Sequence, residues 1–196
     1  MTRRRVPGAG QPGGASVLDE ALERILAARD ARPAPGLPRR LDALFARLAM
    51  KLPEEEAREL QTLVWALWTN HRDRRLDAAM EAASNALLEG RRDDARTMLD
   101  QLVADAPDWA EAWNKRAILA FSEDRDEDAV ADILRVVELE PRHFGALAGL
   151  GQILARHGRA REAIAAFDLA LAVNPHLRGL GEMVERMRAR ERPRLN

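Results

Sequence analysis

Few residues in this chain have the types and spacing that chemistry requires, and each such group fails on its context. Gly8-Ala9-Gly10-Gln11-Pro12-Gly13 has the letters of a dinucleotide-binding turn. That turn must follow a strand and open a helix, so that pyrophosphate meets the helix N-terminus. Here no strand pattern precedes it, and Pro12 interrupts it. The histidines His71, His143, His157 and His176 nowhere take the i, i+4 spacing of metal ligands on a helix. Asp124-Arg125-Asp126-Glu127-Asp128 begins like a calcium loop but lacks the glycine and the terminal bidentate glutamate. It reads better as a turn followed by acidic residues at a helix N-terminus. Ser16, Ser84 and Ser122 have neither a neighbouring histidine nor the glycines of a nucleophile elbow. With no cysteine there is no thiol catalysis, no thiolate metal site and no disulfide. The expectation is a chain that is not an enzyme, with no catalytic residue, no cofactor and no metal.

The elements that would position any site are helical. Hydrophobic residues make up 46% and charged residues 32% of the 196, while aromatics are only 4% and tyrosine is absent. Alanine, leucine, arginine and glutamate dominate, which favours helices and disfavours a sandwich or barrel. No apolar run approaches 18 residues, so no transmembrane segment is expected. Met1-Thr2-Arg3-Arg4-Arg5 resembles the charged start of a secretory signal, but a Pro/Gly-rich stretch follows where an apolar core is needed. A cytoplasmic location is expected, or a periplasmic one if the true start adds a signal peptide.

One spacing organises the rest. Pro107, Pro141 and Pro175 lie 34 residues apart, the period of stacked helix–turn–helix units. Counting proline as the thirty-second position gives units 76–109, 110–143 and 144–177. Large apolar residues stand early in the second and third units (Trp113, Leu147), with Ala79 a weak substitute in the first. The small residues Ala83, Ala117 and Gly151 follow where two helices must touch, and Ala95, Ala129 and Ala163 recur in the second helix. Leu99, Ile133 and Phe167 fill the large slot beyond them. The turn inside each unit holds Gly90, Asp124 or Gly158, residues that tolerate the left-handed conformation at a helix end. Proline then stops the second helix, because it lacks a backbone donor and restricts its predecessor.

Across residues 76–177 the chain resembles the tetratricopeptide repeat (TPR) family. Trp113-Asn114-Lys115-Arg116-Ala117 and Glu140-Pro141-Arg142-His143-Phe144 further resemble a bacterial TPR subgroup of undefined role. The resemblance implies an all-α, right-handed superhelical solenoid with terminal capping helices, acting as a protein–protein interaction scaffold. In that family the first helix of each unit lines the concave groove. The matching positions are Asp77, Met80 and Ser84; Glu111, Asn114, Lys115, Ile118 and Phe121; and Gly145, Ala148 and Gln152. They are the candidate peptide-binding residues, and Ile118 and Phe121 could equally pack against a neighbouring unit. The family's clamp for a peptide's terminal carboxylate, built from lysines, asparagines and an arginine, is missing in both alignments. Only Lys115 has a suitable charge.

Outside the repeats, residues 1–15 are expected to form a disordered Pro/Gly arm. Residues 16–37 should be a helix capped by Ser16 and a stiff Pro-rich linker, Arg32 to Leu37-Pro38. Residues 38–75 carry two further apolar stripes, Leu41, Leu44, Phe45, Leu48 and then Leu60, Leu63, Val64, Leu67, Trp68. Their combined length suggests a degenerate leading repeat. Residues 178–196 read as a capping helix and tail. The net charge of −1 conceals blocks: residues 1–75 carry 14 basic against 10 acidic residues, 76–175 carry 11 against 19, and 176–196 carry 6 against 3. An acidic array argues against nucleic acid, which needs a basic stripe. It favours a protein or peptide ligand of basic character. The alternative is a structural or assembly protein that self-associates through its terminal helices.

Overall fold

The periodicity resolves into helix pairs. The computed structural model describes residues 17–28, 31–33 and 40–191, and among these it contains ten α-helices and no strand. The expected arm 1–15, the Ser16 cap, the linker prolines Pro35 and Pro38 and the tail from residue 192 lie outside the described residues. The repeats are α4 (Arg74–Leu88) with α5 (Arg92–Asp105), α6 (Ala110–Ser122) with α7 (Asp126–Leu139), and α8 (Phe144–Arg156) with α9 (Ala160–Val173). Each second helix packs on the first helix of the next unit, α5 on α6 and α7 on α8, giving an all-α solenoid.

The turns inside the units share one design. Gly90, Asp124 and Gly158 have φ of 74°, 57° and 72°. That reversal lets the N–H groups of Arg91, Arg125 and Arg159 reach back to the carbonyls of Ala86, Ala120 and Leu154 at 2.8–2.9 Å, closing each helix end. The small positions are all buried: Ala83, Ala95, Ala129 and Ala163 have no exposed surface, and Ala117 has 4%. Gly151 is tighter still. A Cβ there would stand 2.4 Å from the Phe167 ring.

The segment before the repeats takes a course that one helix period could not announce. α1 (Val17–Ala28) lies on α7, burying Leu18, Ala21 and Ile25. Ion pairs among the described residues help hold it, Arg24 to Glu138 at 3.0 Å and Asp19 to Arg159 at 2.9 Å. α2 (Arg40–Leu48) and α3 (Glu54–Thr69) pack on each other but do not stack in front of α4 as a leading repeat; α3 packs on α6 instead. It runs along the turns between units. Glu54 pairs with Arg178 at 2.9 Å, Gln61 meets Asn174 at 3.4 Å, and the Trp68 carbonyl accepts from the Trp109 indole at 2.8 Å.

The outer face of α4 explains why none of the described helices stacks on it as a further repeat. Ala112 and Leu119, and again Ala146 and Ile153, are buried where α6 and α8 meet the preceding unit. One period earlier those positions are Ala78 and Asn85, both exposed. At the other end α10 (Arg178–Glu191) packs on α9 and continues the register, with Val184 buried where Leu150 stands in the third unit. It covers the side of α9 that faces away from α8.

Candidate functional site

The first helices of the three consecutive units differ sharply in the residues they carry. α6 carries a polar cluster. Glu111 and Asn114 are 1% and 3% exposed, and the Asn114 amide donates to Glu111 Oε2 at 3.0 Å. Lys115 Nζ approaches Glu111 Oε1 at 3.6 Å. His143 Nδ1 accepts the Ala146 N–H at 3.1 Å, which caps α8 and places the ring proton on Nε2. That nitrogen donates to Glu111 Oε2 at 3.1 Å.

α3 roofs this cluster. Trp68 stacks on the His143 ring with centroids 4.1 Å apart, and Trp65 meets it edge-on at 5.5 Å. His143 has no exposed surface, so the Glu111–His143 pair cannot meet a substrate; it ties α6, the Pro141 turn and α3 together. Arg142 reinforces the same junction, bridging Glu140 at 2.8 Å and Asp42 at 2.7 Å with its guanidinium over the Phe45 ring.

The candidate binding residues therefore separate. Met80, Glu111 and Asn114 are buried; Asp77, Ser84, Lys115 and Phe121 are half-buried; Ile118 and Gln152 are exposed. Phe121 is not a bare aromatic face, because Arg156 lies 4.0 Å over its ring while pairing with Asp124 and Asp126. Asp77 accepts the backbone N–H of His71 at 3.1 Å. Among the described residues neither Asp77 nor Glu81 has a cationic partner.

α8 presents the opposite surface. Gly145, Ala148 and Gly149 fall at i, i+3 and i+4, so one face of the helix is nearly bare. Two cavities open on it. One, of about 580 Å³, is bounded by Gln61 and Trp65 of α3, Ala148 of α8, and Leu180 and Met183 of α10. The other, of about 270 Å³, lies between α6 and α8, lined by Ala117, Ile118, Phe121, Ile133 and Ile153. Gly145 and Gln152 line both, so the cavities adjoin. Spacing within the repeats pointed to Ile118, Phe121 and Gln152, whereas Gln61 and Trp65 arrive from outside them. Gly149 was the available signal: a mid-helix glycine beside Gly145 and Ala148.

Among the described residues there is no group of three or more His, Asp or Glu placed to hold a metal, and no helix long and apolar enough to cross a membrane. Stacked helix pairs with a cleft along one face define an interaction scaffold. A tetratricopeptide repeat model matches residues 80–139 and 127–176. A TPR repeat-containing protein of Rhizobium etli is 32% identical over 160 residues, covering 82% of this chain and 78% of the relative. The chain belongs to the tetratricopeptide repeat family. Its fold is shared with the solved structures MamA MSR-1 C2 (19% identity, TM-score 0.50, 89% of this chain and 84% of that one) and a point mutant of MamA (20%, 0.50, 89% and 85%).

Proposed function

We propose that this chain is a non-catalytic adaptor that holds a segment of a partner protein on its concave face, across α6, α8 and α10. The observation that carries the reading is the pair of adjoining cavities on the bare face of α8. Concave, largely apolar clefts with a few polar groups are the usual form of a binding site. Both terminal helices bury apolar residues in the array, Leu18, Ala21 and Ile25 of α1 on α7 and Val184 of α10 on α9, although Val17 and Leu26 of α1 stay exposed. That favours the adaptor reading over self-association through those helices. The carboxylates of Asp77 and Glu81 add negative charge without cationic partners, so the partner segment carries Lys or Arg and its binding weakens as salt rises.

The test is Ile118→Arg, a charge placed on a half-exposed position (50% exposed) at the mouth of the cleft. Partner capture is lost while the melting temperature stays within a few degrees of the parent's, and a control on the opposite side of the array, Arg161→Glu on α9, captures as the parent does. Capture that survives Ile118→Arg but is lost with Arg161→Glu would move the working surface to the convex face.

A further inference from the structure

We infer that the cleft between α6 and α8 is an anchor pocket for one large apolar side chain, Leu, Met or Phe, of an extended partner segment with a Lys or Arg beside it. This rests on the concave-face reading above and adds what that face selects.

The three glycines of α8 carry the argument. A Cβ on Gly145 would press to 2.7 Å against the Trp65 ring, and one on Gly151 to 2.4 Å against Phe167. Packing therefore demands glycine at both. Gly149 is different: its Cβ would meet only Ile133 Cδ1, at the ordinary contact distance of 3.5 Å. Its backbone lies within α8 without a left-handed φ, and glycine weakens a helix interior relative to alanine. The same repeat position holds Glu81 in the first unit and Lys115 in the second. What the missing side chain does achieve is an open cleft.

The cleft's chemistry names its occupant. Ala117, Ile118, Phe121, Ile133 and Ile153 line it, and no charged residue does. Its volume of about 270 Å³ falls below the roughly 300–1,000 Å³ that encloses a whole small ligand, and suits a side chain. Gln152 stands exposed on the rim with no partner among the described residues. A free amide there can grip main-chain N–H or C=O groups, which an extended segment offers and a helix has already paired. Lys115 is engaged by Glu111 at 3.6 Å, which leaves Asp77 and Glu81 on the adjoining α4 to favour a neighbouring Lys or Arg.

A random-peptide phage library selected on the full chain supplies the probe. An enriched peptide, made synthetically, is titrated into protein labelled at isoleucine δ1-methyls. Enriched peptides should share one Leu, Met or Phe with a basic neighbour, and replacing that residue with Ala should weaken binding about ten- to hundredfold. The methyls of Ile118, Ile133 and Ile153 should shift, while Ile25 on α1 and Ile164 on α9 should not. Gly149→Met, which fills the cleft from within, should abolish binding. Peptides without an apolar anchor that still shift Ile118, or undiminished binding by Gly149→Met, would overturn the anchor pocket and leave the concave-face reading standing. No enrichment, or shifts confined to Ile25 and Ile164, would overturn both. The methyl shifts are read on the parent protein, so they decide the matter even if Gly149→Met fails to fold.

Discussion

Gly151→Ala adds one methyl group where the repeats have traded volume between facing helices. The same two repeat positions hold Ala83 and Leu99 in the first unit and Ala117 and Ile133 in the second; in the third they hold Gly151 and Phe167, which are in contact. The new Cβ would lie 2.4 Å from two ring carbons and 2.8 Å from a third, and Phe167 has no exposed surface into which it can swing. Overpacking of this kind costs about 1–3 kcal/mol, and the severity of the clash puts it at about 2–3. Alanine returns about 1 kcal/mol through its better helix propensity, so the net loss is about 1–2 kcal/mol. For a domain of this size that lowers the melting temperature by about 2–8 °C. The assay is urea and thermal denaturation of four proteins: parent, Gly151→Ala, Phe167→Leu and the double variant, which recreates the Ala–Leu pair of the first unit. The double variant should recover most of the loss, with a favourable coupling energy. A Gly151→Ala protein as stable as the parent, or additive effects, would refute the claim that glycine is there to admit the ring.

Three further outcomes follow from the N-terminal helices and the turns. Trp68→Ala, which removes a 2%-exposed ring stacked on His143, should cost about 3–5 kcal/mol by chemical denaturation; a loss under 1 kcal/mol would mean that α3 does not bear on the array. Ile25→Ala on α1 should cost about 2–5 kcal/mol and speed amide exchange along α1 before α6 or α8; uniform acceleration would contradict its role as a separately seated helix. Arg159 bonds Glu162 at 2.6 Å and Asp19 at 2.9 Å, and its guanidinium holds the Glu162 carboxyl below the usual carboxylate range. A lowered folded value means the pair stabilises above the unfolded value of about 4.3 and is lost as pH falls through the folded one. Arg159→Ala should therefore melt below the parent at pH 7 and at pH 5, the gap closing only below about pH 4. A gap of the same size at pH 3 would assign the difference to packing.

Periodicity carried the solenoid because every defining residue of a repeat acts locally: proline stops a helix, and Gly90, Asp124 and Gly158 turn it. The family match over residues 80–176 and the helical fold agree with that reading. The placement of α2 and α3 was not legible, since nothing in their own apolar stripes distinguishes stacking before α4 from lying along the turns. The cue sat elsewhere, in Ala78 and Asn85 of α4, which replace the buried residues that a preceding unit would need. The same long-range contact hides the cluster beneath it: Glu111 and Asn114 hold groove positions by register, yet Trp65 and Trp68 cover their junction with His143. Ile118 and Gln152, farther along the same helices, stay exposed.

The most direct test of the central claim is photo-crosslinking in living cells that make the full chain. A photoreactive phenylalanine analogue would replace Ile118 or Gln152 on the concave face, or Ala172, an exposed residue of α9, on the opposite side. The account predicts a discrete partner adduct from positions 118 and 152 and none from 172. Adducts from position 172 alone would contradict it.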